Sequence, residues 1–241
     1  MTINIIFPVL NERLRLQKGI ETTVQYLQEN CQIPYQLSIV DNGSTDETPE
    51  IGRKLCEKYD CVRYTQLHER GVGVAFRKGI AENESDIVGY MDIDLSTDIH
   101  HLGEAIQIFA TRPEIQYING SRFSRESDTK GRKWYRKITS QGLLVLLHIF
   151  LQMKVTDAIC GFTFMRKEVA EELVAASSDD NGWFYMIEVL LRAERRNIHI
   201  LDYPVEWQED YNTTVKVFKV AVDYLKHICQ LFYEFNIRKH I

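Results

Sequence analysis

From residue 3 to residue 118 the chain alternates short apolar, β-branched runs with segments of helical spacing, and that alternation leaves few folds open. Ile3-Asn4-Ile5-Ile6-Phe7 reads as a buried strand that Pro8 ends. Residues 13–30 place Leu14, Ile20, Val24 and Leu27 at helical intervals. Strands are expected at 36–40, 62–66, 86–91 and 115–118, and helices at 45–59, 72–82 and 99–110. Strand and helix signals in this order predict an α/β fold, a mostly parallel central sheet flanked by helices. Such sheets bind ligands beyond the C-terminal ends of their strands. The loops beginning at Pro8, Asp41, Leu67 and Asp92 are therefore the candidate site.

The second half is less regular. Residues 124–133 are polar and charged and read as a loop, 134–153 as a helix, 161–165 as a strand, 183–196 as a helix and 198–203 as a strand. From Thr213 the spacing of Val217, Val220, Ala221, Tyr224, Leu225, Ile228, Leu231 and Phe232 predicts a C-terminal amphipathic helix about 40 Å long.

Composition narrows the function classes. At 44% hydrophobic the chain has ample core material, which excludes disorder. A net charge of −5 argues against nucleic acid as the main partner. The five scattered cysteines (31, 56, 61, 160 and 229) form no C-x-x-C pair and point to a reduced, cytoplasmic protein. The N-terminus has no basic region before its first apolar run, so no signal peptide is expected. The longest apolar run, 143–151, contains His148 and is about half a membrane span.

Five segments carry candidate chemistry. In Met91-Asp92-Ile93-Asp94-Leu95-Ser96-Thr97-Asp98 a strand delivers two carboxylates into a loop. Oxygen donors of this kind suit Mg²⁺ or Mn²⁺ held between acids and substrate phosphates. A calcium EF-hand loop fails here, because Thr97 stands at the turn-glycine position and Gly103 at the closing Glu. The competing reading is helix capping, which suits Asp98 best. In Val40-Asp41-Asn42-Gly43-Ser44-Thr45-Asp46, Asp41 either accepts from a nucleobase or only shapes the turn, while Asp46 reads as a cap. Gly71-Val72-Gly73-Val74-Ala75-Phe76-Arg77 has Phe where a dinucleotide fingerprint needs Gly, and no phosphate-loop motif occurs anywhere. What is left is a tight turn with Arg77 one turn into a helix, for packing or for binding a nucleotide sugar. The basic stretch Arg122, Arg125, Lys130, Arg132, Lys133, Arg136 and Lys137 abuts the apolar run; it is either a solvated face or a surface for a diphosphate or an anionic membrane. A fifth segment, Thr156-Asp157-Ala158-Ile159-Cys160-Gly161-Phe162, holds an acid that is either a general base or a cap.

Taken together, these segments resemble the family-2 glycosyltransferases of the GT-A fold, in the branch of the dolichyl-phosphate mannose and glucose synthases. Phe7-Pro8-Val9-Leu10-Asn11-Glu12 is similar to the opening P-x-x-N-E, residues 41–48 to V-D-D-G-S-x-D-x-T, and Asp92-Ile93-Asp94 to D-x-D. Gly120-Ser121-Arg122 and Trp134-x-Arg136-Lys137-x-x-Ser140 resemble the phosphate-side motifs. Asp157-x-x-Cys160-Gly161-Phe162 resembles D-x-Q-C-G-F-K, and residues 183–188 with Tyr203-Pro204-Val205-Glu206-Trp207 resemble the closing motifs. The chain departs from these patterns at Asn42, Val72, Leu144, Ile159 and Thr163.

The resemblance implies a single GT-A domain over 1–212, with a nucleotide-sugar half (1–120) and an acceptor half (121–212), followed by the helix of 213–241. Pro8, Glu12 and Asp41 would contact the nucleoside. Asp92 and Asp94 would hold donor and metal, Arg122, Arg136 and Lys137 would face the diphosphate, and Asp157 would be the base. The implied reaction is inverting transfer from a nucleotide sugar, UDP-linked rather than GDP-mannose, to a polyprenyl-phosphate lipid. The alternatives are a sugar hydroxyl on a glycan and, more distantly, a silent nucleotide-binding protein. Nucleotidyl transfer would want a G-x-G-T-R-like loop after the first strand, which is absent. The basic loop and the 134–153 helix are expected to touch the inner leaflet of a membrane, and a homo-oligomer is left open.

Overall fold

The computed structural model describes residues 1–131, 134–208 and 217–238. Its first half runs β1 (Ile3–Val9), α1 (Leu16–Asn30), β2 (Tyr35–Asp41), α2 (Thr48–Lys58), β3 (Val62–Gln66), α3 (Val72–Ala81), β4 (Ile87–Met91), α4 (His100–Thr111) and β5 (Tyr117–Ser121). The second half runs β6 (Asp128–Lys130), α5 (Trp134–Leu151), β7 (Phe162–Arg166), α6 (Lys167–Ala176), α7 (Phe184–Arg195), β8 (Ile200–Pro204), β9 (Glu206–Gln208) and α8 (Val217–Tyr233), which ends in a π-helical turn at Glu234–Arg238.

Seven strands form one sheet in the order β3-β2-β1-β4-β7-β5-β8. The pairs β1–β2, β1–β4, β2–β3 and β5–β8 are parallel, as the strand–helix alternation requires, and β7 alone runs antiparallel to both its neighbours. Side chains alternate across the pleat. Ile3, Ile5, Phe7 and Val9 of β1 enter the core beneath α1, α2 and α4, while Ile6 enters the opposite core with residues of α3, α5, α6, α7 and α8.

Three expectations are corrected. Pro8 does not end its strand: β1 continues to Val9, paired with Asp41. The Val9 carbonyl accepts from Asn42 N–H, so Pro8 faces the β4 side, where pairing has already stopped at Ile6. No ladder bond is lost to its missing donor. The loop expected at 124–133 contains β6, which pairs with β9. The helix α6, unanticipated, follows β7 without a turn residue between them. The C-terminal helix starts at Val217 and buries Ile228 and Leu231; the expected start at Thr213 lies outside the described residues. No helix among the described residues is long and apolar enough to cross a membrane.

Candidate active site

The C-terminal ends of β1, β2 and β4 converge, and two loops are stitched together there. Asn11 takes a left-handed conformation (φ 57°). From that position its N–H donates to Ser44 Oγ and its Oδ1 accepts from Thr45 N–H, both at 2.8 Å. Glu12 N–H donates to Thr48 Oγ1 at 2.8 Å, and its carboxylate holds Arg15 at 2.6 Å. Asp46, one residue before the N-cap position Glu47, accepts from Thr48 N–H at 2.9 Å at the start of α2. Asp41 is fully buried and accepts from Ser44 N–H (2.8 Å) and from the Tyr64 hydroxyl (2.7 Å). Burial and the Asp41 charge both raise the Tyr64 pKa, so that hydroxyl stays a donor. Asp41 thus braces the turn beneath Pro8 and Glu12.

Asp92 and Asp94 project from the end of β4. Asp92 Oδ1 accepts from the Tyr90 hydroxyl at 2.9 Å, and Asp94 Oδ1 accepts from Ser96 N–H at 2.9 Å. Between them and Ser96, Leu95 is held at φ 52°, an uncommon conformation for a non-glycine residue. Burial, together with the charge of Asp94, pushes the Asp92 carboxyl up to about 6. A divalent cation would reverse that balance, and two hard carboxylate donors fit Mg²⁺ or Mn²⁺. Gly161 packs on Asp92: a Cβ there would stand 1.8 Å from Asp92 Oδ2, so a side chain would displace that carboxylate. Asp98, one residue before the N-cap position Ile99, accepts from His100 N–H at 3.1 Å at the start of α4.

Asp157 and Arg122 form a buried ion pair beside these acids. Asp157 is fully buried; its Oδ2 receives Arg122 Nε at 2.7 Å and Arg122 N–H at 3.1 Å, and its Oδ1 receives Nη2 at 3.1 Å and Ile159 N–H at 2.9 Å. With four donors on it, the carboxylate faces no open space from which a base could act. The arginine is further held by the Ile159 carbonyl (2.9 Å) and by the rings of Phe123 and Trp207 at 5.6 and 5.3 Å. Burial opposes its charge, but Asp157 outweighs this and raises its pKa further, and Arg122 in turn favours the ionised form of Asp92. Trp207 arrives on β9, which is pinned to the acidic loop by a Thr97–Trp207 bridge and by Gln208 N–H donating to the Ser96 carbonyl at 2.8 Å.

Arg77 is placed elsewhere. Its guanidinium donates to the carbonyls of Asp180 (2.6 Å) and Asp179 (3.3 Å) and to Asn181 Oδ1, and it lies 4.8 Å over the Tyr185 ring. It clamps the α6–α7 loop onto the glycine turn. Gly71, at φ 136°, would drive a Cβ to 1.7 Å from the Asn181 carbonyl oxygen. The packing reading of that turn is the one observed. Lys137 is exposed on α5, while the side chain of Arg136 and residues Arg132 and Lys133 lie outside those described.

Sequence reasoning missed Tyr90, Tyr64 and Trp207 as site residues. Tyr90 had a signal, since it lies on β4 two residues before Asp92, which follows the strand's end. Tyr64 had none. Among the described residues His100, His101 and Glu104 also cluster. Both ring nitrogens of His101 are already engaged, Nδ1 with Glu104 at 2.6 Å and Nε2 as acceptor from Glu206 N–H at 2.8 Å. This cluster ties β9 to α4.

Residues 4–174 match the model of Glycosyl transferase family 2. The chain belongs to that family. As a family-2 glycosyltransferase it is 27% identical to Glycosyltransferase AglD of Haloferax volcanii, over 99% of this chain but only 38% of AglD. It is also 27% identical to the dolichyl-phosphate beta-glucosyltransferase ALG5D of Trichomonas vaginalis, over 98% of this chain and 75% of that one. The dolichyl-phosphate beta-glucosyltransferase of Mus musculus is 27% identical over 86% of this chain and 67% of its own length. Among solved structures, glucosyl-3-phosphoglycerate synthase from Mycobacterium tuberculosis, in complex with Mn²⁺ and UDP-glucose, aligns with 95% of this chain and 77% of its own. The TM-score is 0.69 at 18% identity, a likeness that shows the shared GT-A fold.

Proposed function

We propose that this family-2 domain moves a sugar, with inversion, from a UDP-sugar to a polyprenyl-phosphate-type lipid. The donor half of the reading draws on the paired carboxylates at the end of β4 and on the Mn²⁺ and UDP-glucose named for the mycobacterial structure. Pro8, Glu12 and the turn braced by Asp41 would receive the nucleoside. Asp92 and Asp94 would hold Mg²⁺ or Mn²⁺, which when bound offsets charge growing on a departing diphosphate. Arg122, preorganised by Asp157 and two rings, would add fixed positive charge, and Arg136 and Lys137 would approach the diphosphate from α5. Residues 1–120 would then serve the donor and 121–212 the acceptor.

The acceptor is the finer step, and one observation carries it. Asp157, the acid that a hydroxyl acceptor would call on as base, is fully buried under four donors from Arg122 and Ile159. A phosphate acceptor is already anionic and needs no base. The dolichyl-phosphate glucosyltransferases among the relatives agree with this choice. The test offers UDP-glucose or GDP-mannose with Mn²⁺ to a polyprenyl phosphate and to sugar hydroxyls. Transfer from the UDP-sugar to the lipid phosphate is expected, with an inverted linkage by NMR and loss in Asp94→Ala. Transfer to hydroxyls alone would replace the acceptor assignment.

A further inference from the structure

Strand β9 has little of its own to hold it. It is three residues long, and β6, its partner in the two-stranded sheet, is three exposed residues. Two strands of that length do not make a stable sheet by themselves. Yet β9 places Trp207 over Arg122 and lies against the loop that carries Asp94. It is docked by a short antiparallel ladder with residues 96–98. Gln208 N–H donates to the Ser96 carbonyl at 2.8 Å, and Asp98 N–H donates to the Glu206 carbonyl at 3.0 Å. In an antiparallel pair, Asp98 and Glu206 would exchange a second bond, from Glu206 N–H to the Asp98 carbonyl. That carbonyl is already taken, because His101 N–H donates to it at 3.2 Å in the first turn of α4. The His101 side chain fills the gap: its Nε2 accepts from Glu206 N–H at 2.8 Å.

This bond fixes the state of the ring. A backbone N–H only donates, so Nε2 carries the lone pair and the proton of the neutral imidazole sits on Nδ1. Nδ1 lies 2.6 Å from Glu104 Oε2, and the Tyr203 hydroxyl donates to the same oxygen. A carboxylate behind a histidine sets its tautomer and its orientation in this way. The ring is buried and lies edge-to-face with Tyr203 and Phe162, centroids 5.6 and 6.3 Å apart. Ser96 links the far end of the ladder to the acids. Its N–H donates to Asp94 Oδ1 at 2.9 Å while its carbonyl receives Gln208.

We infer that His101, as the neutral Nδ1-protonated tautomer, is a positioning residue of the donor site. It acts through β9 rather than on a ligand. By closing the ladder it keeps Asp94 braced through Ser96 and Trp207 seated on Arg122. The inference rests on the proposed function in one respect, the assignment of Asp92, Asp94 and Arg122 to metal and diphosphate.

The experiment compares the full chain with His101→Gln and His101→Leu. Gln sets an amide oxygen where Nε2 stands and so keeps the acceptor; Leu is of similar size and has none. Nitrogen-15 NMR of the wild-type ring is expected to show the Nδ1-protonated tautomer, and a proton on Nε2 would overturn the inference. In His101→Leu, amide exchange at Glu206 and Gln208 is expected to quicken about tenfold, the scale of one buried hydrogen bond left unmade. UDP affinity in the presence of Mn²⁺ is expected to weaken by about the same factor. His101→Gln should return both towards wild type, which a mere loss of packing at this position would not do. Wild-type exchange or wild-type UDP affinity in the Leu variant, or a Gln variant no better than Leu, would overturn the inference. Where melting shows that the Leu variant does not fold, His101→Asn takes its place, since the shorter amide does not reach Glu206. Asp94→Ala separates this inference from the proposed function. If it leaves UDP affinity with Mn²⁺ unchanged, the donor reading falls and the positioning role with it, while exchange at Glu206 still supports the docking of β9 by His101.

Discussion

At the scale of single residues, the candidate site holds two acids in opposite situations. Asp157 is fully buried and paired, so removing it strands the guanidinium of Arg122, whose side chain is 8% exposed. Breaking a buried pair from one side costs about 3–5 kcal/mol. Asp157→Ala should therefore lower stability by about that much in urea unfolding. Asp157→Asn should slow transfer while leaving the shape of its pH profile intact; loss of the acidic limb would mark Asp157 as a base after all. Asp92 is raised to about 6 by burial and by Asp94. Between the ordinary carboxylate range and that value the folded chain keeps a proton that the unfolded chain has released. Stability of the metal-free protein should thus fall as pH rises through this window, and Asp92→Asn should flatten the trend. Mn²⁺ requires the ionised carboxylate. Its affinity, followed by calorimetric titration, should strengthen as pH rises through about 6.

Among the elements, legibility followed local pattern. The run from β1 to β5 could be read because apolar periodicity switches cleanly between strand and helix there, with Gly, Pro, Asn and Asp marking the turns. The helix α6 carries its own spacing in Val169, Ala170 and Leu173, but nothing separates Lys167 from Arg166 at the end of β7, so the change of period has no boundary signal. Strands β6 and β9 are three residues each and largely exposed, too short to display alternation. Arg77 illustrates a role set by a neighbouring element. Its place one turn into α3 suits a phosphate, yet the 179–181 loop reaches it first, from about a hundred residues downstream. Arg77→Ala should cost about 1–3 kcal/mol by thermal melting and leave UDP affinity unchanged. A selective loss of UDP binding would return Arg77 to the nucleotide.

For the whole molecule, a site assembled from β1, β2, β4, β9 and the Asp157 loop links ligand binding to global stability. With UDP and Mn²⁺ at a hundred times their dissociation constant, the folded state should gain about 2.7 kcal/mol, read as a rise in melting temperature. EDTA or Asp94→Ala should remove the metal-dependent part of that rise. The sequence alone determined the α/β alternation and the placing of the acids at 41, 92 and 94 at the C-terminal ends of β2 and β4. Each of these follows from periodicities and turn chemistry within a few residues. Tertiary structure decided the reversed direction of β7, the delivery of Trp207 to the acidic loop, the clamp made by Arg77 and the buried pairing of Asp157 with Arg122. All four depend on which surfaces meet after the chain has folded. Such meetings join residues from 23 to more than a hundred positions apart, as in Tyr64–Asp41, Arg122–Asp157 and Arg77–Asp180. Contacts at that range arise from the packing of the whole core, which no local pattern encodes.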